Sequence, residues 1–163
     1  MFSFLKKSKE GKSMILKSPV VGRCFDISEI PDEVFSSKML GNGIGFESTE
    51  GVLYSPVDGE ILQVFPTKHA LILKSKEGIE ILLHIGIDTV EMKGEGFEAF
   101  AQKGQQVKAG DKLLTFNNEL IKAKAKTNLS VLVLTDNEIM ESVEFKLGTV
   151  DKNDEVITIK IKK

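Results

Sequence analysis

The sequence contains one cysteine, two histidines, one tyrosine and no tryptophan in 163 residues. A single cysteine excludes an internal disulfide, which fits a reducing, cytoplasmic setting. No CxxC or HExxH pattern occurs, so the usual sequence signatures of a zinc site are missing. No apolar run approaches the roughly 18 residues of a membrane span. The formal net charge of −2 gives no attraction of the whole molecule to nucleic acid.

Length and composition predict one soluble domain. Apolar residues make up 41% of the chain and charged residues 28%, which is ordinary for a globular protein. We expect residues 15–163 to form the domain and residues 1–14 to be a flexible tail. The tail mixes large apolar residues with lysines, so a weak contact with a membrane surface is the alternative interpretation.

The punctuation of the chain predicts an all-β fold. Short apolar runs alternate with Gly, Pro, Asn and Asp at intervals of about eight to twelve residues. Residues 17–23 (KSPVVGR) resemble residues 54–60 (YSPVDGE), which indicates an internal duplication. We expect an antiparallel β-sandwich or barrel-sandwich hybrid with short helices in residues 30–41, 96–104 and 118–126.

Both histidines fall in one predicted β-hairpin. Residues 69–73 and 79–84 are apolar runs, and residues 74–78 between them form a turn signal. If the turn is centred on residues 76–77, His69 faces His84 on the same side of the sheet, with Cβ atoms about 4.5–5.5 Å apart. This register also places Leu71 and Leu82 on the histidine face. A shift of one residue would change every pairing.

Two neighbouring imidazoles can bind a metal, act as an acid–base pair, or provide a nucleophile with a supporting partner. Histidine suits all three roles because its pKa lies near neutrality and its two nitrogens can be held in different states. The carboxylates of Asp32 and Asp88 are either solvated or able to orient an imidazole and attract a basic partner.

Three other signals are weak. Lys93 follows a Met, as in biotin-carrier domains, but Gly94 stands where a second Met is expected. A zinc peptidase needs three protein ligands and a general base, which two histidines do not supply. Cys24 has Arg23 as its basic neighbour, and we interpret it as a small core residue.

Several segments together resemble the glucose-type enzyme IIA domain of the bacterial sugar phosphotransferase system. The longest is residues 84–97 (HIGIDTVEMKGEGF), which is similar to the phosphorylation-site signature of that family. The other matching segments follow in the order of the family and are residues 31–35 (PDEVF), 55–59 (SPVDG), 67–69 (TKH) and 104–111 (GQQVKAGD). The resemblance covers roughly residues 15–162.

The resemblance implies a transferase component that works through phosphohistidine. Nε2 of His84 would accept a phosphoryl group from the phosphocarrier protein HPr and pass it to a cysteine of a sugar-specific IIB domain. His69 would support the phosphoryl oxygens during onward transfer, and Thr67 would orient an imidazole. Since no membrane segment is fused to the domain, we expect delivery to a separate protein.

The resemblance also implies a docking surface. Asp32 and Asp88 would form its acidic rim, and its apolar centre would comprise Val34, Phe35, Ile44, Phe65 and Leu82. Leu82 and Ile85 replace aromatic residues that are common in the family. No cofactor is required, although His69 and His84 could share a zinc ion with a partner. We expect the protein to be monomeric and cytoplasmic. The alternative role is that of a regulatory binding protein whose phosphorylation state controls permeases or glycerol kinase.

Overall fold

The computed structural model describes residues 12–135 and 138–162, and this part of the chain contains fourteen β-strands. The strands are β1 (Ser13–Lys17), β2 (Gly22–Asp26), β3 (Asn42–Ser48), β4 (Val52–Tyr54), β5 (Gly59–Val64), β6 (Ala70–Ser75), β7 (Glu80–His84), β8 (Phe97–Ala99), β9 (Gln106–Val107), β10 (Lys112–Phe116), β11 (Ser130–Leu134), β12 (Met140–Phe145), β13 (Gly148–Val150) and β14 (Glu155–Ile161). Two short α-helices interrupt them, α1 (Glu33–Ser36) and α2 (Asn118–Lys124), together with 3-10 helices at Ile27–Glu29 and Thr89–Met92.

The strands form three antiparallel sheets. The largest has the order β13-β2-β3-β11-β7-β6-β5-β9, and two three-stranded sheets have the orders β1-β14-β12 and β4-β10-β8. The main core lies between these layers and is built from residues such as Leu16, Phe46, Leu83 and Ile159. A second apolar cluster covers the outer face of the large sheet and includes Phe25, Phe35, Ala70 and Leu82.

Strand β11 is buried on both faces. All five of its residues are inaccessible, with Leu132 and Leu134 in the main core and Val131 and Val133 in the second cluster. A strand covered on both sides needs no polar alternation, which explains its continuous apolar run. Because β11 pairs with β7, it fixes the position of the histidine-bearing strand.

The predicted duplication is confirmed by hydrogen bonds between the two repeated segments. The amide of Lys17 donates to the carbonyl of Pro56 at 2.9 Å, and the amide of Tyr54 donates to that of Pro19 at 2.7 Å. Lys17 corresponds to Tyr54 in the repeat and Pro19 corresponds to Pro56, so each of these bonds is the counterpart of the other. The copies therefore meet across an approximate two-fold axis.

Each copy also contains the same buried serine. The hydroxyl of Ser18 donates to the carbonyl of Val20, and the hydroxyl of Ser55 donates to that of Val57, both at 2.6 Å. Both serines are completely buried. The Ser-Pro-Val motif is thus a repeated turn that satisfies its own backbone.

The segment predicted as a helix in residues 96–104 is instead strand β8, so that prediction was wrong. Phe97 pairs with Phe116 of β10, and the chain is bounded by Gly96 and Gly104, which have φ of 84° and 87°. The Phe residues that suggest a helical face do not share one, because Phe97 is buried while Phe100 is 43% exposed. Pairing with β10 decides the conformation.

The domain also begins earlier than predicted. Strand β1 starts at Ser13 rather than after residue 14, since Ser13 pairs with Lys160 of β14. The tail interpretation for residues 1–11 lies outside the described residues. No helix in the part of the chain that the structure describes is long and apolar enough to cross a membrane.

Candidate active site

The two histidines lie together at one end of the β6–β7 hairpin. His84 is the last residue of β7, and His69 immediately precedes β6. Their ring centroids are 4.9 Å apart, and the ring planes meet edge to face at 83°. The predicted proximity of the two imidazoles is therefore confirmed.

The predicted register is wrong by one residue. Ala70, not His69, pairs with His84, because Gly78 adds a third residue to the loop. The amide of Gly78 donates to the carbonyl of Ser75 at 2.9 Å, and Gly78 has a φ of 99°. A three-residue loop that ends in a left-handed residue is a common hairpin connection.

His69 reaches His84 because it lies outside the strand. It follows Lys68, which has a φ of 59°, so its side chain does not obey the alternation of β6. Leu82 shares the face of His84, as predicted. Leu71 does not, since the shifted register turns its side chain into the main core.

The imidazole of His84 is held in one tautomer. Its Nδ1 lies 2.8 Å from the carbonyl oxygen of Gly86. A carbonyl oxygen only accepts hydrogen bonds, so Nδ1 carries the proton and donates. In the neutral ring the lone pair is then on Nε2, which makes this nitrogen the nucleophilic one.

His69 has a different partner. Its Nδ1 is 2.5 Å from Oγ1 of Thr67, two residues earlier in the bend before β6. A hydroxyl can donate or accept, so this contact orients the ring without dictating which nitrogen is protonated. His69 is only 3% exposed, whereas His84 is partly exposed.

Both imidazoles lie in an apolar surround. The Phe35 ring is 5.1 Å from that of His84, and the Phe65 ring is 5.6 Å from that of His69. Leu82 is also part of this cluster and is 9% exposed. Phe35, Phe65 and Leu82 line the surface around the two histidines, and we refer to this surface as the depression.

Ile44 does not line the depression, contrary to the prediction. Its side chain is completely buried and belongs to the main core. The alternation of β3 places Gly43 and Gly45 on the other face instead. The Phe25 ring packs over Gly45 so closely that a Cβ there would be 2.3 Å from it.

The two predicted rim carboxylates lie near His84. Asp32 caps α1 by accepting a hydrogen bond from the amide of Val34 at 2.9 Å, and Asp88 is exposed at the start of the 3-10 helix that follows β7. Both negative charges act to raise the pKa of His84. Beside them, Val34 is 42% and Val90 52% exposed.

The net effect on the pKa of both imidazoles is nevertheless downward. Burial, followed by the charge of the neighbouring His69, lowers the pKa of His84 to about 4 and outweighs the Gly86 carbonyl, Asp32 and Asp88. Burial also lowers the pKa of His69. Both rings are therefore neutral at physiological pH, the state in which an imidazole nitrogen can attack an electrophile.

The remaining candidate groups are not part of the site. Cys24 is buried in the main core, as predicted, and desolvation raises the pKa of its thiol to about 11. Within the described ranges, no three His, Cys, Asp or Glu side chains cluster as a metal site would require. His69 and His84 thus form a pair of ligands at most.

Three features of the site are not predicted by the sequence. The carbonyl of Gly86 accepts a hydrogen bond from Nδ1 of His84, Gly45 makes room for Phe25, and the exposed apolar residues continue beyond α1 to Met39 and Leu40. The contact between Gly86 and His84 had a signal in the sequence, since a glycine two residues after a histidine can turn its carbonyl back towards the ring.

Fold and site together define a duplicated antiparallel β-sandwich that presents a pair of imidazoles in an apolar depression. Residues 14–140 match the family described as phosphoenolpyruvate-dependent sugar phosphotransferase system, EIIA 1. The chain belongs to this family and is a phosphotransfer component of sugar uptake.

Similar proteins agree with this assignment. A glucose-specific EIIA component of Bacillus cereus is 49% identical over 141 residues, which cover 86% of this chain and 85% of that protein. One from Halalkalibacterium halodurans is 39% identical over 167 residues, with 99% and 96% covered. Among solved structures, the glucose permease IIA of Mycoplasma capricolum has a TM-score of 0.84 and 37% identity, and the match covers 90% of this chain and 96% of that one.

Proposed function

We propose that this chain is a phosphohistidine carrier that accepts a phosphoryl group on Nε2 of His84 from phospho-HPr and passes it to a cysteine of a IIB domain. The observation that carries the proposal is the contact between Nδ1 of His84 and the carbonyl of Gly86, which directs the lone pair to Nε2. In the first step the Nε2–phosphorus bond forms as the nitrogen–phosphorus bond on HPr breaks. In the second, sulfur of the cysteine replaces Nε2.

His69 supports the transferring group. Its ring lies edge to face against that of His84, and Thr67 holds it at Nδ1. When the Thr67 hydroxyl donates to Nδ1, the proton of His69 is on Nε2 and can donate to a phosphoryl oxygen. A donor fixed in advance stabilises the charge that spreads over these oxygens in the transition state.

Partners dock on the depression and its rim. Phe35, Phe65 and Leu82 exclude water once a partner covers the histidines, and Val34 extends the apolar surface outward. Asp32 and Asp88 attract basic residues of the partner and accelerate the encounter. This combination suits brief binding to both a donor and an acceptor protein.

The sugar we propose is glucose, because the relatives at 39–49% identity are named as glucose-specific components. On this proposal the sugar does not bind to the chain itself. Specificity comes from the IIB domain that receives the phosphoryl group.

A zinc ion shared with a partner fits the site only in part. The chain offers two imidazoles, whereas structural zinc sites use four ligands. A partner would have to supply a carboxylate to complete the set, and the transfer reaction needs no metal.

Phosphorylation also gives the depression a regulatory use. A phosphoryl group adds roughly −1.5 to −2 charges to a surface that is otherwise apolar at its centre. Permeases or glycerol kinase that dock there would therefore bind the unphosphorylated form selectively.

The decisive experiment is incubation with phosphoenolpyruvate, enzyme I and HPr, followed by intact-mass and peptide analysis. We expect one acid-labile phosphoryl group on His84 that is released when a IIB domain is added. Labelling on another residue, or a label stable to acid, would contradict the proposal.

A further inference from the structure

A buried serine supports the residue that orients His84. Gly86 is buried, and its amide donates to Oγ of Ser130 at 3.0 Å. Ser130 is the first residue of β11, is 1% exposed, and lies 44 positions away in the chain. This side chain therefore links the loop after β7 to the central strand of the large sheet.

The direction of this hydrogen bond is fixed by a second one. The hydroxyl of Ser130 donates to the carbonyl of Asn128 at 3.0 Å. Since a hydroxyl has one proton, its lone pairs are left for the amide of Gly86. Asn128 is itself held, because its Nδ2 lies 3.3 Å from both Glu47 Oε2 and Asn118 Oδ1.

Gly86 is anchored on both sides of its Cα atom. Its amide is held by Ser130, and the next peptide is held by the amide of Ile87, which donates to the carbonyl of Thr127 at 3.0 Å. Gly86 has a φ of 68°, and a Cβ there would lie 2.5 Å from Cγ2 of Thr89. The two anchors aim the Gly86 carbonyl at Nδ1 of His84.

We infer that Ser130 is a positioning residue for phosphoryl transfer: by holding the amide of Gly86 it keeps the Gly86 carbonyl on Nδ1 of His84 and so keeps the lone pair on Nε2. The inference rests on the proposed function, since it assigns Ser130 a role at the same nitrogen. It extends the site from the hairpin to β11. Ser130 itself does not touch the reacting atoms.

The test compares Ser130→Ala with Ser130→Thr, which retains an oxygen at the same position. Ser75→Ala is the matched control, because Ser75 is 3% exposed and its Oγ accepts the amide of Ile79 at 3.0 Å at the opposite end of the same hairpin. Nitrogen NMR of the imidazoles reports the tautomer of His84 in the unphosphorylated protein, and rapid-quench labelling by phospho-HPr reports the rate.

We expect the wild type and Ser75→Ala to show only the Nδ1-protonated form of His84. In Ser130→Ala a measurable fraction should be protonated on Nε2, and the labelling rate should fall by roughly 10- to 100-fold, as on loss of the groups that orient metal-ligating histidines. Ser130→Thr should restore both. If Ser130→Ala does not fold, Ser130→Cys replaces it, since a thiol is a weak acceptor.

A folded Ser130→Ala with the wild-type tautomer and rate would overturn the inference. An equal loss of rate in Ser75→Ala would also overturn it, because the effect would then be one of stability. The tautomer measurement needs no partner protein, so it distinguishes failure of this inference from failure of the proposed carrier function, which would appear as an unlabelled wild type.

Discussion

The imidazoles of His69 and His84 lie edge to face with centroids 4.9 Å apart. Two positive charges at this separation in an apolar surround would repel each other strongly. The pair therefore remains neutral over the physiological range, and His84 can be a nucleophile without any deprotonation step. This arrangement has consequences for stability as well as for reactivity.

Stability should fall in mildly acidic solution because of His84. Its pKa is lowered from 6.5 to about 4 in the folded state. The unfolded chain then binds the proton more tightly, so the stability is fully present above about pH 6.5 and is lost as pH falls towards 4. One pKa unit corresponds to about 1.4 kcal/mol, and His84 is partly exposed, so about 3 kcal/mol is an upper bound. Urea unfolding between pH 7.5 and 4 measures the loss.

The control for this pH dependence is His84→Gln. The variant keeps every carboxyl group of the wild type. The difference between the two unfolding curves therefore isolates the histidine. Parallel curves for wild type and variant would contradict the lowered pKa of His84.

The two histidines should separate acceptance from delivery. His84→Gln should abolish labelling by phospho-HPr, because it removes the attacking nitrogen. His69→Gln should still be labelled but should transfer to a IIB domain at least about 100-fold more slowly, since one oxyanion donor commonly contributes this much. Gel-based or mass-based phosphoryl-transfer assays measure both steps. Labelled His84→Gln protein would refute the assignment of the acceptor.

The orientation of His69 should depend on Thr67. Thr67→Val keeps the volume and removes the oxygen that lies 2.5 Å from Nδ1. We expect onward transfer to slow by roughly tenfold while labelling of His84 changes little, because one hydrogen bond is worth about 0.5–1.5 kcal/mol. Thr67→Ser, which keeps the hydroxyl, is the control and should transfer at nearly the wild-type rate. Equal rates for Thr67→Val and Thr67→Ser would argue against this role.

Much of the fold follows from local sequence patterns, but the register of the hairpin does not. Turn residues and apolar runs indicate the strands, and the Ser-Pro-Val motif reveals the duplication. The three-residue loop requires a left-handed conformation at Gly78. Glycine permits this conformation but does not require it, and glycines occur at many other turns of the chain. Sequence alone could not decide whether residue 69 or residue 70 faces His84.

The sequence likewise predicts only some of the residues of the candidate site. His69, His84 and Thr67 are visible in the sequence because their residue types carry chemistry. Ser130 and Gly45 act through contacts with residues distant in the chain, and their residue types are common. The family resemblance implies a surface position for Ile44, but its side chain is interior. Which face a residue of β3 occupies can be determined only when the neighbouring strands are known.

The two repeated serines should make similar contributions to stability. Ser18 and Ser55 each donate to the carbonyl two residues later at 2.6 Å and are completely buried. Either Ser→Ala change leaves a buried backbone group without its partner, which costs about 1–3 kcal/mol. Equilibrium denaturation of both single variants and the double variant measures these costs.

Because the copies are joined by the Lys17–Pro56 and Tyr54–Pro19 bonds, we expect the double change to be non-additive. Strict additivity would contradict the coupling.

Val34 offers a way to weaken docking without disturbing the histidines. It is 42% exposed beside Asp32, so Val34→Lys should leave the free energy of unfolding within about 0.5 kcal/mol of wild type. On the proposed surface the new charge would be desolvated and would face a basic partner. We therefore expect the Kd for HPr to rise at least about tenfold, which corresponds to about 1.4 kcal/mol.

Ile15→Lys is the matched control for this change in charge and size. Ile15 is 46% exposed on β1, which belongs to a three-stranded sheet that does not carry the histidines. Calorimetric titration of each variant with HPr should give wild-type affinity for Ile15→Lys and reduced affinity for Val34→Lys. Equal weakening by both variants would point to the net charge of the molecule, and no weakening by either would remove Val34 from the docking surface.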